Sequence, residues 1–94
     1  MAPWTVLLVD DARAELLNAP PQIRRKFDTW VVADQGLGPW LKGGWRTEAL
    51  QGVLRGFYSI RLDRKWRAIF EVRKERRVIV IRIVAHDYRR AGRT

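Results

Sequence analysis

The sequence contains no cysteine and a single histidine, His86. The absence of cysteine excludes disulfides, thiolate metal sites and a thiol nucleophile, and one histidine is too few for a His-rich zinc site. No apolar run approaches the length of about 18 residues that crosses a membrane, and the apolar run 4–9 is too short for a cleavable signal peptide. We therefore expect a cytoplasmic protein with no metal, no cofactor and no membrane partner.

The chain nevertheless has enough apolar residues to fold. It has 94 residues, of which 47% are hydrophobic and 11% are aromatic, a composition that does not fit an intrinsically disordered segment. This length supports one hydrophobic core and is too short for two. Because no repeat, low-complexity stretch or linker divides the sequence, we expect a single domain over residues 1–94.

Acidic residues are far outnumbered by basic ones in the second half of the chain. Nineteen Lys and Arg oppose ten Asp and Glu, which gives a net charge of +9, and fifteen of the cations are arginine. Residues 1–44 carry five charges of each sign, so the whole excess lies in residues 45–94. Arginine favours bidentate contacts with phosphate, and a polyanion, most commonly nucleic acid, is the expected partner. A surface that serves solubility alone is the alternative.

The first half of the chain predicts a strand followed by two helices. The run 4–9 is typical of a short buried strand, and Asp10 is expected to be the N-cap of a helix over residues 12–18. Two prolines then open a second helix, which ends before a glycine-rich loop at residues 35–44. One stripe of this second helix is apolar and faces a core: Ile23, Phe27, Trp30 and Val31.

The second half of the chain predicts three strands. Residues 57–62, 66–72 and 77–85 are rich in β-branched and aromatic residues, and the short charged turns between them favour antiparallel pairing. We therefore predict an α+β fold, a small twisted antiparallel β-sheet with an N-terminal helical hairpin packed on one face.

The predicted register of the first two of these strands places two arginines opposite each other. A three-residue loop at 63–65 pairs Arg61 with Arg67 and gives one coherent apolar face. Like charges directly across a sheet are unfavourable, and local rules tend to be broken where function requires it. The alternative is that both guanidiniums splay into solvent, held by Glu71. The predicted core face carries Tyr58, Ile60, Leu62, Trp66, Ala68, Phe70 and Val72.

The last strand is expected to bring further polar groups to the arginine face. If Val72 pairs with Arg77, the core face receives Ile79, Ile81 and Ile83. Arg82 and Val84 then lie on the other face, and the residues beyond the strand bring His86 and Tyr88 beside Arg61 and Arg67.

This set of residues suits the cleavage of RNA. The 2′-hydroxyl can attack the adjacent phosphate if a base takes its proton and an acid protonates the leaving 5′-oxygen, while cations stabilise the charge of the phosphorane. His86 and Glu48 are the candidate acid and base, Arg61 and Arg67 are the candidate phosphate clamp, and Tyr88 is a candidate for stacking or proton transfer. Each has a plainer alternative: a functionless histidine, a packed tyrosine, a solvated or helix-capping glutamate. Other cations are candidate RNA contacts: Lys42, Arg46, Arg55, Arg64, Lys65, Arg82, Arg89 and Arg90.

Three segments in order, residues 48–62, 65–70 and the end His86-Asp87-Tyr88, resemble the RelE/ParE toxin superfamily. The closest likeness is to the RelE, YoeB and HigB type toxins of type II toxin–antitoxin systems. The resemblance implies a RelE-like fold and a ribosome-dependent, metal-independent endoribonuclease that cuts mRNA in the A site. It also implies a cognate antitoxin as partner beside mRNA and the ribosome, and working groups at Glu48, Arg61, Arg67, His86 and Tyr88.

The sequence departs from the family pattern at three places. Gln51 stands where several members carry lysine, Asp87 separates His86 from Tyr88, and Ser59 replaces a lysine on which RelE relies. A ParE-like inhibitor of DNA gyrase, which lacks the catalytic set, is the first alternative function. A generic basic nucleic-acid-binding domain is the second.

Overall fold

The computed structural model describes residues 5–33, 45, 47–75 and 77–85. These residues form two α-helices and five strands, which confirms the α+β class. The elements in chain order are β1 (Thr5–Leu8), α1 (Asp10–Asn18), α2 (Pro21–Ala33), β2 (Glu48–Ala49), β3 (Tyr58–Arg61), β4 (Trp66–Arg73) and β5 (Arg77–Ala85). None of the helices described is long and apolar enough to cross a membrane.

The five strands form one sheet in the order β1-β5-β4-β3-β2. The pairs β2–β3, β3–β4 and β4–β5 are antiparallel. For the last three strands, the short turns in the sequence had predicted this pairing. β1 instead pairs with β5 in parallel, with Thr5 opposite Arg77, so the sheet is mixed and not wholly antiparallel. The difference arises because β1 reaches β5 through a long connection that includes both helices, and only a tight hairpin forces antiparallel pairing.

Both helices pack on one face of the sheet, as predicted. Ile23, Phe27 and Trp30 of α2 are buried, and they belong to the same apolar cluster as residues from every long strand. The Trp30 ring lies 5.4 Å from the ring of Phe70 in β4. Buried or half-buried positions on the sheet side include all seven predicted core residues: Tyr58, Ile60, Leu62, Trp66, Ala68, Phe70 and Val72.

The start of α1 differs from the prediction. The helix begins at Asp10, and its N-cap is Val9, whose side chain makes no cap. Asp10 is therefore not the N-cap. It lies with Asp11 in the first turn, where carboxylates interact favourably with the positive end of the helix dipole. α2 begins at Pro21, as expected for a residue without an N–H group. The glycine-rich loop predicted at residues 35–44 lies outside the described residues.

The β3–β4 hairpin has the predicted register. Arg61 pairs with Arg67 and Ile60 pairs with Ala68. The turn is closed by Asp63, whose Oδ1 accepts hydrogen bonds from the backbone N–H groups of Lys65 at 2.8 Å and Trp66 at 2.9 Å. An aspartate that accepts bonds from the backbone just ahead of it is a common reason for a tight turn.

The predicted register of β5 is wrong along the whole strand, by one residue before the bulge and by two beyond it. Val72 pairs with Val78, and not with Arg77, so Val78 and Val80 enter the core while Ile79 and Ile81 are only half-buried. A bulge in the β4–β5 ladder between Ile69 and Phe70 of β4 then changes the register. Since one extra residue on one strand reverses the alternation of faces, the predicted core residue Ile83 is buried after all.

Candidate active site

Arg61 and Arg67 are direct cross-strand partners on the sheet face opposite the helices. Alternate residues of a strand point to opposite faces, so the buried neighbours Ile60 and Ala68 face the helices while both arginines face away. Opposed residues of an antiparallel pair have Cβ atoms about 4.5–5.5 Å apart. Two guanidinium groups held this close form a natural site for an anion such as phosphate.

Glu48 belongs to the same face. β2 pairs Glu48 with Ser59, which lies two residues before Arg61 and therefore on its side of the sheet. The Glu48 side chain is exposed, whereas Ser59 is 2% exposed. The register thus brings a solvated carboxylate, a buried hydroxyl and two guanidiniums onto adjacent rows, so three of the five candidate catalytic residues lie on one face of the sheet.

Two glycines shape the connection that places Glu48 beside β3. Gly52 and Gly56 have φ angles of 69° and 98°, in the region that residues with a Cβ avoid. They enclose a single 3₁₀ turn at Gly52–Leu54, and the chain then returns so that the Leu50 N–H donates to the Phe57 carbonyl at 2.9 Å. The tight return fixes the pairing of β2 with β3, and with it the position of Glu48.

Arg67 is 5% exposed, so it is buried although it lies on the sheet face away from the helices. Its Nη1 donates to the main-chain carbonyls of Asp63 at 3.3 Å and Trp66 at 3.4 Å, and it makes a further interaction. The alternative of a solvated guanidinium held by Glu71 is excluded for Arg67, because Glu71 forms its ion pair with Arg73 at 2.9 Å. A buried cation requires such partners.

Arg61 is only half-buried, but its Nε–H is enclosed and has no acceptor among the residues described. The Thr47 hydroxyl, one residue before Glu48, is enclosed and unpaired in the same way. A buried polar group without a partner costs about 1–3 kcal/mol. Two such groups beside the strands that carry Glu48 and Arg61 leave hydrogen-bonding capacity available to a ligand.

Arg82 lies opposite Ile69, on the row next to the pairing of Arg67 with Val84. Its guanidinium forms an ion pair with Glu15 of α1 at 2.8 Å, and the hydrogen bond to Glu15 raises the pKa of Arg82 above its ordinary value. The charge of this predicted RNA contact is therefore compensated within the chain, unlike that of Arg61.

The remaining predicted site residues fall into two groups. Arg55, Arg64 and Lys65 are exposed on the connection to β3 and on the β3–β4 turn. The others lie outside the described residues: Lys42, Arg46, His86, Tyr88, Arg89 and Arg90. In the ranges that the structure describes, no three side chains of the metal-ligating types come together.

The chain, with two helices on one face of a sheet ordered β1-β5-β4-β3-β2, has the fold of RelE/YoeB-type toxins. The chain superposes on a YoeB/ParE toxin from Agrobacterium tumefaciens with a TM-score of 0.73 and 17% identity, over 87% of this chain and 98% of that chain. The archaeal RelE–RelB complex from Pyrococcus horikoshii OT3 gives a TM-score of 0.73 and 18% identity, over 90% and 97%.

The RelBE2 toxin–antitoxin complex from Mycobacterium tuberculosis gives a TM-score of 0.71 and 24% identity, over 89% of this chain and 99% of that chain. No family model and no curated protein matches the sequence. The similarity to these toxins therefore lies in the fold, and it covers almost the whole of each toxin chain.

Proposed function

We propose that this chain is the toxin of a type II toxin–antitoxin system, a ribosome-dependent and metal-independent endoribonuclease that cleaves mRNA in the cytoplasm. The observation that carries the proposal is the placement of Glu48, Arg61 and Arg67 on adjacent rows of one sheet face. The fold, shared with RelE/YoeB-type toxins over nearly the full chain, supports it. The arginine excess of residues 45–94 gives this half the charge that RNA requires.

The proposed reaction breaks the bond between phosphorus and the 5′-oxygen. A base accepts the proton of the 2′-hydroxyl, the 2′-oxygen bonds to phosphorus, and an acid donates a proton to the departing 5′-oxygen. Glu48 and His86 fill these two roles, in either order, and Arg61 and Arg67 stabilise the phosphorane charge. Tyr88 stacks on a base or assists a proton transfer. The products are a 2′,3′-cyclic phosphate and a free 5′-hydroxyl.

In the proposed reaction the two arginines have different positions, because they differ in exposure. Glu48 is exposed and Arg61 is half-buried, so a phosphate that approaches the face meets these two groups first. Arg67 lies deeper, with its guanidinium held by main-chain carbonyls. A cation fixed in a site with little water acts more strongly on a developing charge than a solvated one.

The proposed protein partner is a cognate antitoxin. Toxins of the same fold have been solved in complex with antitoxins, including the RelBE2 complex from M. tuberculosis and the RelE–RelB complex from P. horikoshii OT3. We expect an acidic segment of the antitoxin to cover the basic half of this chain, because the whole net charge of +9 lies there.

Expression in a bacterial host followed by mapping of mRNA 5′ ends tests the function. Each reporter transcript is made in two forms, one translated and one without a start codon. We expect new ends only in the translated form, and their loss in Glu48→Gln and in His86→Ala. Glu71→Gln is the matched control, because Glu71 is already paired with Arg73.

Two other results would contradict the nuclease. Growth arrest with DNA damage and intact mRNA would identify a gyrase inhibitor of the ParE type. If Glu48→Gln and His86→Ala kept the full cellular effect of the wild-type chain, the function would be that of a basic nucleic-acid-binding domain and not of a nuclease.

A further inference from the structure

A cavity of about 340 Å³ lies at the corner of the sheet where β3 ends. Its volume falls in the range of about 300–1,000 Å³ that is usual for sites of small ligands. The cavity joins three parts of the fold: the exposed side of α2, the segment before β2 and the β3–β4 turn. The residues that line it are Lys26, Trp45, Arg61, Leu62, Asp63 and Arg64.

The charge of the lining favours an anion. Lys26, Arg61 and Arg64 bring three positive charges, and within the ranges described none of their side chains makes an ion pair or a hydrogen bond. The one carboxylate among the described residues of the lining, Asp63, already accepts two backbone hydrogen bonds that close the turn. The cavity therefore presents uncompensated cations beside a carboxylate that is held by its own backbone.

Arg61 connects this cavity to the candidate active site. Arg61 lines the cavity, while its main chain pairs with Arg67 across the hairpin. The enclosed Nε–H of Arg61 has no acceptor among the described residues, so no internal hydrogen bond through Nε fixes the orientation of this guanidinium. A phosphate can accept from the two Nη groups, in the bidentate geometry that arginine favours.

Trp45 decides between the kinds of anion. Its main-chain carbonyl accepts the Arg61 N–H at 2.7 Å, which holds the half-buried indole beside the cations. An aromatic ring next to a phosphate-binding group is typical of sites for single-stranded nucleic acid, where the ring stacks on a base. An acidic peptide would use the cations and leave the ring without a role.

We propose that the corner cavity binds one nucleotide of the RNA, next to the scissile phosphate, with its phosphate on Lys26, Arg61 and Arg64 and its base against Trp45. The proposal rests on the proposed function for its ligand, and it assigns this chain a binding site that adjoins the catalytic set and shares Arg61 with it. Because Arg61 belongs to both sites, a nucleotide in the cavity fixes which phosphate of the RNA lies at the candidate active site.

The test uses the full chain and a single-stranded RNA trinucleotide with 2′-O-methyl riboses, which the 2′-hydroxyl mechanism cannot cleave. Binding is followed by NMR through the indole N–H signal of Trp45, assigned with Trp45→Phe. We expect Lys26→Gln and Arg64→Gln to weaken binding about tenfold. The slope of log K against log salt should fall by about 0.7 for each phosphate that the variant no longer neutralises. Both residues are exposed, so both variants should keep the fold.

Lys74→Gln and Arg13→Gln are the matched controls. Each removes one positive charge from an exposed position away from the cavity lining, and we expect each to change the affinity less than about twofold. Equal losses in all four variants would reduce the effect to net charge and overturn the site. Binding of a hexa-aspartate peptide that shifts the Trp45 signal, with no shift from RNA, would overturn the choice of nucleic acid.

Failure of this proposal can be distinguished from failure of the proposed function. A wild-type chain that leaves translated mRNA intact disproves the nuclease, whatever the trinucleotide does. A wild-type chain that cuts mRNA, while Lys26→Gln and Arg64→Gln bind the trinucleotide as tightly as Lys74→Gln does, disproves the cavity alone.

Discussion

Arg67 is a buried cation that the proposed phosphate clamp also requires. It is 5% exposed although it lies on the sheet face away from the helices. Its guanidinium is held by the main-chain carbonyls of Asp63 and Trp66 in the β3–β4 hairpin. Because a buried charge is tolerated only with partners, the hairpin and the candidate phosphate clamp depend on the same group.

We expect substitutions of Arg67 to separate these two roles. Arg67→Ala should lower the free energy of unfolding by about 1–3 kcal/mol, because the Asp63 carbonyl loses the Arg67 donor and the packing of a buried side chain is lost, and it should also abolish cleavage. Arg67→Lys should retain most of the stability but reduce cleavage at least about tenfold, because an ammonium cannot give the planar fork of a guanidinium. Denaturant unfolding and a primer-extension assay of mRNA cleavage measure the two effects.

Arg13→Lys, the same exchange at an exposed position of α1, is the control for both assays. Cleavage by Arg67→Lys at the wild-type rate would show that the guanidinium geometry is not needed, and would remove Arg67 from the phosphate clamp.

At the scale of elements, β4 pairs along one edge of the C-terminal half of β5. Along the other edge a side chain takes the place of a strand. β1 pairs with β5 only as far as Leu8 opposite Val80. Beyond this point Glu15 of α1 accepts a hydrogen bond from the Ile83 N–H at 2.8 Å and another from Arg82 Nε at 2.9 Å. One carboxylate thus satisfies the strand edge and anchors α1 at the end of β5 that leads to His86.

Two substitutions of Glu15 distinguish its hydrogen bond from its charge. Glu15→Ala should lower the free energy of unfolding by about 1–3 kcal/mol, since the half-buried Ile83 N–H loses its acceptor. Glu15→Gln keeps an acceptor and loses only a partly solvated ion pair, so its cost should stay below about 1 kcal/mol. Denaturant unfolding measures both, and amide hydrogen exchange at Ile83 should accelerate in Glu15→Ala. Equal losses in the two variants would make the ion pair the stabilising interaction.

The elements that the sequence predicted well are those with a clear period. The stripe of Ile23, Phe27 and Trp30 repeats at the helical spacing, and β3 and β4 alternate every second residue, so both faces could be assigned in advance. The register of β5 could not be, because a bulge leaves no mark in a run of nine mostly β-branched residues. β2 has two residues, too few to show any alternation.

At the scale of the whole molecule, the two halves of the chain differ in charge and in their place in the fold. The helical hairpin covers one face of the sheet and belongs to the half of the chain with no net charge, whereas all nine excess positive charges lie in residues 45–94. This division is readable from the sequence alone. The pairing of Arg61 with Arg67 was readable as well, because it follows from the hairpin register.

Features that depend on three-dimensional packing were not foreseen. The corner cavity joins Lys26 of α2 to Trp45 and to the β3–β4 turn, and the sequence gives no spacing that connects them. The burial of Arg67 and the capture of Arg82 by Glu15 likewise arise from tertiary packing. The sequence pattern therefore predicted which residues share a face, and tertiary packing decided which of them are buried or paired.

The proposed reaction requires attack by the 2′-hydroxyl, and removal of that one oxygen from the substrate tests it. Ribosomes are programmed with an mRNA that carries either ribose or 2′-deoxyribose at the mapped cleavage position, and the purified chain is added. We predict cleavage of the ribose form to a 2′,3′-cyclic phosphate and a 5′-hydroxyl, and no cleavage of the deoxy form. Cleavage of both forms, or a product with a 5′-phosphate, would contradict it.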